Sequence, residues 1–331
     1  MPGLIELEGV SKRFEKKLDV AEKIFNLLGG HVKEQIVHAV DKVDLSIAEG
    51  EVVGLVGESG CGKSTLGRVV AGIHPASEGT LKFKEHDVTS MSAAEAKDWA
   101  LQVQMIFQDP MSSLNPRLRV RDIIGEAPVF HGLVKSGDLD DYIDDLMLRV
   151  GLDPSFKRRY PHQFSGGQRQ RIGIARALAV KPSFLVCDEA IAALDVSIQA
   201  QVINLFMRLR EELGLTYLFI SHDLGVVEHL SERVVIMYLG RIVEIAEATE
   251  LFEKPNHPYT VALLGEVPRI DRRGQIFVPI KGEIPSPINP PSGCHFHPRC
   301  PHAFDRCRAE QPRLREIAPA RYSACHLNDQ S

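Results

Sequence analysis

No stretch of this chain is apolar for long enough to cross a bilayer. Runs such as VVGLVG and VVIMYL fall far short of the ~20 residues that a membrane-spanning helix needs. The opening MPGLIELEGVSKRFEKK carries acids within its first ten residues and lacks the basic-then-apolar layout of a signal peptide. A basic excess is missing too. The formal net charge is −5, which gives no support for a nucleic-acid surface. No internal repeat and no heptad run is visible. Cysteine is scarce in the body of the chain: Cys61 and Cys187 are alone in its first 200 residues. A cytosolic chain is the expectation, and work at a membrane then requires another protein to hold it there.

What is present fits a folded α/β protein. The 331 residues give room for one large domain plus a smaller one. Residues 4–10, LIELEGV, alternate apolar and polar like a strand. Residues 14–36 read as an insertion with a short amphipathic piece, VAEKIFNLLGG. AVDKVDLSIAEGEVVGLVG reads as two strands joined by the turn AEG. A glycine loop and a helix, KSTLGRVVAGI, follow, and LQVQMIFQD reads as a further strand. Leu139, Ile143, Leu146, Met147 and Val150 fall at helical spacing and predict a helix over 138–150. Val202, Leu205, Phe206, Leu209 and Leu213 mark another. SFLVCDE and TYLFIS are nearly all apolar, as strands are when a parallel sheet is covered on both faces. The alternation of strands and helices predicts an α/β domain around a largely parallel sheet. Around residue 265 the composition shifts. VPIKGEIPSPINPPSG is too proline-rich for a regular element and reads as a linker or extended arm.

Three motifs carry chemistry. GESGCGKST spans Gly57, Glu58, Ser59, Gly60, Cys61, Gly62, Lys63, Ser64 and Thr65. It follows a predicted strand and opens a predicted helix, the context in which G-x-x-x-x-G-K-[ST] is a phosphate loop. Its glycines let backbone N–H groups curl around phosphate oxygens, and the helix N-terminus adds a favourable dipole. Lys63 can reach the β- and γ-phosphates, and Ser64 can ligate Mg²⁺. FLVCDE is a strand ending in two acids. Asp188 suits a Mg²⁺ shell, and Glu189 could polarise a water for attack on a γ-phosphate. That pattern is weak by itself and gains weight from the loop upstream. FSGGQRQRIGIARAL, residues 164–178, places a serine and two glycines at a helix start. It reads either as a capped, arginine-rich surface helix or as a second phosphate reader, which implies a nucleotide shared between two subunits.

Taken together, the chain resembles the ATP-binding subunits of ABC transporters, with all motifs in the family's order over nearly its whole length. Gly57–Thr65 is similar to Walker A, and Gln108 in IFQDP to the Q-loop. Ser165, Gly166, Gly167 and Gln168 are similar to the signature. Asp188 and Glu189 resemble Walker B and its catalytic glutamate, Asp195 in AALD the D-loop, and His222 in ISHD the switch histidine. Phe14 sits where the family places an aromatic that stacks on adenine. The resemblance implies a P-loop ABC ATPase domain: a RecA-like core, an antiparallel β subdomain and an α-helical signature subdomain. It implies head-to-tail pairing, with ATP between Walker A of one subunit and the signature of the other. Glu189 is then the general base and His222 the γ-phosphate sensor. Ser64, Gln108 and Asp188 are the Mg²⁺ residues. Gln108 also links the nucleotide to the helical region at 110–165, which touches the membrane subunit. Ala190 and Ala192 stand where the family often has proline and serine. No catalytic group is lost by either, so ATP hydrolysis is expected.

LFEKPNHPYTVALL, the proline-rich arm, GCHFHPRCPHAFDRC, QDPMSSLNPR and LDVSIQAQV resemble the oligopeptide and dipeptide importers and their nickel-importing relatives, especially the F-type subunit. This implies a D-type ATP-binding partner, two permease chains and a binding protein that delivers substrate. It also implies a peripheral position on the cytoplasmic face of the membrane. Peptides are the expected cargo; nickel chelate, glutathione and sugar are alternatives, and a soluble non-transport ABC ATPase is a further one. FSGGQ and His222 speak against a soluble P-loop kinase or GTPase.

Cys294, Cys300, Cys307 and Cys325 crowd the tail, separated by five, six and seventeen residues. Disulfides are disfavoured in a reducing compartment. The C-x₂₋₄-C pairs usual for structural zinc are absent, whereas four thiolates can hold a [4Fe–4S] cluster. The subfamily resemblance also implies such a cluster, with a structural role. Zinc, helped by His295, His297, His302 or His326, and four reduced thiols are the alternatives. Cys61 and Cys187 are expected to be inert buried thiols. The expected organisation is an ABC-type ATP-binding domain at 4–263, its helical subdomain at about 110–180, and a proline-rich and cysteine-rich C-terminal region at 264–331.

Overall fold

Short apolar runs with no polar side have nowhere to go but the middle of a sheet covered on both faces. VVGLV, FLVCD and TYLFI are such runs, and every residue of each is buried. The computed structural model describes residues 3–16, 26, 34–265 and 282–329. In it the strands are β1 (Ile5–Lys16), β2 (Gln35–Ile47), β3 (Val52–Val56), β4 (Glu78–Phe83), β5 (His86–Asp87) and β6 (Val103–Ile106). They continue as β7 (Phe184–Asp188), β8 (Thr216–Ile220), β9 (Arg233–Tyr238), β10 (Arg241–Glu247), β11 (Arg315–Ala318) and β12 (Arg321–Ser323). The three apolar runs are therefore β3, β7 and β8, inner strands of an 8-stranded sheet ordered β11-β12-β10-β9-β3-β8-β7-β6. From β9 to β6 the pairing is parallel; β10, β12 and β11 add an antiparallel edge. A second, 4-stranded antiparallel sheet runs β2-β1-β4-β5.

The expected strand-turn-strand at 39–57 forms, but its halves part company. β2 pairs with β1, while β3 enters the other sheet between β8 and β9. LQVQMIFQD is strand only over Val103–Ile106, because its first residues finish the helix Ala93–Gln102. The expected insertion begins later than residue 14: Phe14, Glu15 and Lys16 still pair with Val37, Ile36 and Gln35. Its amphipathic piece at 20–30 lies outside the described residues, apart from Asn26.

The helices expected from spacing are Leu139–Arg149 and Val196–Leu213; the first buries its predicted apolar stripe, and the second buries Val202, Leu205, Phe206 and Leu209 but leaves Leu213 42% exposed at its end. With Val120–Phe130 and Gly166–Leu178 they bury a core that reaches from Val120 and Ile143 to Phe206 and Phe219. Phe206 meets Tyr217 and Phe219 edge-on at 5.8 Å each. Burying one such side chain stabilises by about 1.5–3 kcal/mol, so the helical region is fastened to the sheet by packing.

Residues 282–293 hold no helix or strand, as their proline content predicts; 278–281 lie outside the described residues. Beyond the arm the tail returns to the main body. β12 pairs with β10 through Glu244↔Ser323 and Ile245↔Tyr322. Phe296, 1% exposed, sits among Tyr238, Tyr259 and His257 with ring centroids 5.2, 5.4 and 5.9 Å away.

Candidate nucleotide site

In an open parallel sheet the loops at the carboxyl ends of the strands form the ligand crevice. Here those loops carry the predicted motifs. β3 runs into Gly57–Thr65, and the helix Lys63–Val70 starts directly at its end. Gly62 has φ 109, and a Cβ there would lie 2.1 Å from the carbonyl oxygen of Ala39. Only glycine fits. Lys63 is 5% exposed. Its Nζ donates to the carbonyls of Gly57 at 2.7 Å and Glu58 at 3.0 Å, so the ammonium sits inside the loop's curl. Cys61 and Cys187 are both buried, and burial pushes each thiol pKa up.

Ser64 Oγ donates to Asp188 Oδ1 at 2.7 Å. Burial raises the Asp188 carboxyl pKa, against the opposing pull of that hydroxyl and of Arg68, whose Nη2 is 4.0 Å away. A hydroxyl beside a carboxylate is a pair of hard oxygen donors at the start of a helix, which suits Mg²⁺.

One residue further, the backbone turns sharply. Glu189 has φ 47, an uncommon conformation for a residue with a side chain, and its N–H donates to the carbonyl of Ile220 at 2.9 Å. This aims the carboxylate across the strand ends. Gln108 Nε2 donates to Glu189 Oε2 at 2.6 Å, and His222 Nδ1 lies 3.5 Å from Glu189 Oε1. Residues following β6, β7 and β8 thus meet on one carboxylate.

Ser165 caps the helix Gly166–Leu178 in a reciprocal box: its Oγ accepts from the N–H of Gln168 at 3.3 Å, and its own N–H donates to Gln168 Oε1 at 3.0 Å. Ser165 and Gly166 are exposed, so this helix end faces outward. Asp195 precedes the helix Val196–Leu213, also exposed, beside a Val196 that is 82% exposed. Phe14 is a surface ring, 38% exposed, edge-on to His74 at 5.5 Å and with Lys12 Nζ 5.2 Å from its centroid. The loop, Asp188, Glu189, Gln108 and His222 are therefore gathered, while Phe14, Asp195 and Ser165–Gln168 lie on the surface.

Sequence reasoning passed over two residues that touch this loop. Tyr259 Oη accepts from the N–H of Glu58 at 2.9 Å. Arg299, in the tail, grips the Glu58 carboxylate. Neither has a local signal, since both lie more than 200 residues from Glu58 in the chain.

The tail thiols depart from expectation. Among the described residues, no three His, Cys, Asp or Glu side chains are grouped so as to hold a metal ion. No disulfide joins Cys294, Cys300, Cys307 and Cys325. Burial raises the pKa of Cys294 and Cys325 to about 11 each and shifts that of Cys300 upward. The histidines named as zinc helpers are turned elsewhere. His295 Nδ1 faces the Leu239 carbonyl at 3.2 Å, His297 Nδ1 that of Cys294 at 2.9 Å, and His326 Nε2 that of Glu310 at 2.9 Å; His302 is exposed.

A phosphate loop, a paired Ser–Asp, a carboxylate bracketed by glutamine and histidine, and a second, outward-facing helix start define an ATP-binding cassette. Comparison with known proteins agrees. Residues 40–192 match the family model described as ABC transporter, and residues 243–307 that of the oligopeptide/dipeptide transporter, C-terminal region. The chain is 48% identical over 328 residues to the oligopeptide transport ATP-binding protein AppF of Bacillus subtilis (strain 168), covering 98% of this chain and 97% of that one. It is 52% identical over 301 residues to the putative oligopeptide transport ATP-binding protein YkfD of the same organism, covering 89% and 91%. Among solved structures it superposes on the dimeric, post-hydrolysis ATP-binding cassette MJ0796 bound to ADP and Pi. The TM-score is 0.62 at 25% identity, over 74% of this chain and 98% of that one. The chain belongs to the ABC transporter family of ATP-binding proteins, in the branch that carries the oligopeptide/dipeptide transporter C-terminal region. It has the ABC ATPase fold and is an ATPase.

Proposed function

We propose that this chain is the ATP-hydrolysing subunit of a peptide importer, driving oligopeptides or dipeptides through membrane permease subunits. The observation that carries the reading is the Glu189 carboxylate held between Gln108 and His222, directly beyond the Ser64–Asp188 pair. The loop amides receive the phosphates of ATP, and Lys63 Nζ turns from the carbonyls of Gly57 and Glu58 to the β- and γ-oxygens. Ser64, Asp188 and Gln108 would hold Mg²⁺, which when bound neutralises charge on those oxygens. Glu189 accepts the proton of the attacking water as its oxygen bonds to the γ-phosphorus. The bond to the bridging oxygen breaks, and ADP and phosphate leave. Gln108 and His222 orient the carboxylate and report the γ-phosphate. Phe14 stacks on the adenine.

Ser165, Gly166, Gly167 and Gln168, the first two exposed and the next two half-buried, would complete the site of a second, D-type ATP-binding subunit, with Asp195 at the same face. ATP binding closes the pair and hydrolysis reopens it. Two permease chains would contact the helical region at about 110–180 and hold the chain at the cytoplasmic face of the membrane. Among the described residues, no helix is long and apolar enough to cross a membrane itself. The ATP-binding domain is assigned to 4–263 and the arm and cysteine tail to 264–331. For the tail, the [4Fe–4S] reading rests on donor chemistry. A charge on Cys300, Cys307 or Cys325 would be felt at Cys294, and Cys294, Cys300 and Cys325 each accept a backbone N–H from two residues on. Iron, sulfide and zinc analysis of anaerobically purified protein tests it; zinc alone or no metal removes it.

The test of the function is Glu189→Gln in the assembled transporter. Turnover should fall by about 10²–10⁴-fold, the usual contribution of a general base, with ATP binding retained. Turnover near wild type would refute the assigned base. Uptake assays with the cognate binding protein then decide between peptides and nickel chelate, glutathione or sugar.

A further inference from the structure

Glu58 is the second residue of the phosphate loop, and each of its polar groups is tied down. Its backbone N–H donates to Tyr259 Oη at 2.9 Å. Its carbonyl accepts from Lys63 Nζ at 3.0 Å. Its carboxylate takes two parallel bonds from one guanidinium: Arg299 Nη1 to Oε2 at 2.7 Å and Arg299 Nη2 to Oε1 at 2.9 Å. Both side chains are well buried, 5% exposed for Arg299 and 18% for Glu58.

The guanidinium is itself held in place. It lies 5.8 Å from the centre of the Tyr238 ring and reaches that residue's hydroxyl at 3.4 Å. The backbone N–H of Arg299 donates to the carbonyl of Phe296 at 3.0 Å, and Phe296 is plugged among Tyr238, Tyr259 and His257. The anchor thus runs from an aromatic plug in the cysteine-rich tail to the loop that surrounds the phosphates.

We propose that Arg299 is a positioning residue for nucleotide binding: the tail, through its bidentate grip on Glu58, holds the phosphate loop in its ATP-accepting shape. The loop's amides bind phosphate only while their directions converge. A largely shielded carboxylate that loses its partner is drawn toward water, and Glu58, 18% exposed, gains water by shifting outward with the loop's first turn. Lysine would not replace arginine, because it offers a point charge where the site requires a planar fork. The inference rests on ATP binding at this loop, as proposed above.

The experiment is equilibrium binding of Mg²⁺–ATP to the full chain, alongside KM and kcat in the assembled transporter. Wild-type protein must bind first; if it does not, the nucleotide assignment fails and not this inference. Arg299→Ala should raise Kd and KM about tenfold, or about 1.4 kcal/mol of binding free energy, below the full penalty for a buried pair because Glu58 keeps 18% exposure, with kcat at saturating ATP within about twofold. Arg299→Lys should recover less than half of that loss. Adding Glu58→Gln to Arg299→Ala should bring Kd back toward wild type, because the stranded charge is gone. An unchanged Kd in a folded Arg299→Ala protein overturns the proposal. So does a Kd shift of the same size with and without Glu58→Gln. Should Arg299→Ala fail to fold, Glu58→Gln alone decides: it should raise Kd a few-fold, and an unaltered Kd rejects the loop-positioning role.

Discussion

Acidification should unfasten this protein at one buried imidazole. His257 is 1% exposed. Its Nδ1 accepts the N–H of Tyr259 at 3.0 Å, so that nitrogen is unprotonated, and the ring also has the Ala324 backbone as a partner. Burial lowers its pKa from 6.5 to about 4. The nearby Glu244 carboxylate cannot serve as a counter-charge, since it already accepts the backbone N–H groups of Asn256 and His257 and pairs with Arg321. The folded state takes its proton only near pH 4, whereas the unfolded chain takes it near 6.5. Stability from this residue is therefore complete above pH 6.5 and falls as pH drops toward 4. At 1.36 kcal/mol per pKa unit, that lowering caps the loss at about 3 kcal/mol, with about 2 kcal/mol lost by pH 5. Urea unfolding at pH 7 and pH 5, on wild type and on His257→Gln, measures it. The variant should lose about 2 kcal/mol less on acidification than wild type. Equal losses in the two proteins would refute the reasoning.

Two further substitutions probe the loop and the plug. Gly62→Ala places a methyl 2.1 Å from the Ala39 carbonyl oxygen at φ 109, so ATP binding should be lost in a calorimetric titration while the far-UV circular dichroism stays native; undiminished binding contradicts the geometry. Phe296→Ala empties an aromatic site that is 1% exposed and should cost about 3–5 kcal/mol. Limited proteolysis should then cut the tail while the nucleotide core survives, and a loss under about 1 kcal/mol would show that the plug carries little.

Much of the site was legible because its chemistry is local. A strand, glycines at set intervals and a helix start are neighbours in sequence, so the order of residues alone marks Gly57–Thr65 as a phosphate loop. FLVCD and TYLFI were legible as inner strands for the same reason: four consecutive apolar residues leave no polar face. The meeting of Gln108, Glu189 and His222 was reached through family resemblance and not through periodicity, since each is an ordinary polar residue at a strand end. The edge strands escaped notice. REIA and RYS are short and charged and carry no apolar alternation; RYS pairs with the edge that β10 offers, and REIA pairs with RYS. Glu244 in RIVEIAE gives no local sign of its place either: it is 0% exposed and satisfied by Asn256, His257 and Arg321.

By itself, the order of residues determined the elements and the inventory of reactive groups. Apolar period, glycine freedom and helix starts act over a few residues and do not depend on what else folds nearby. Only the tertiary structure decided how those parts are joined. It sent β2 and β3 to different sheets, returned the tail to β10, and set Arg299 on Glu58 across 241 residues of chain. Those pairings depend on burial, and a charge that looks destined for water on the sequence is stable inside only when a distant partner arrives to meet it.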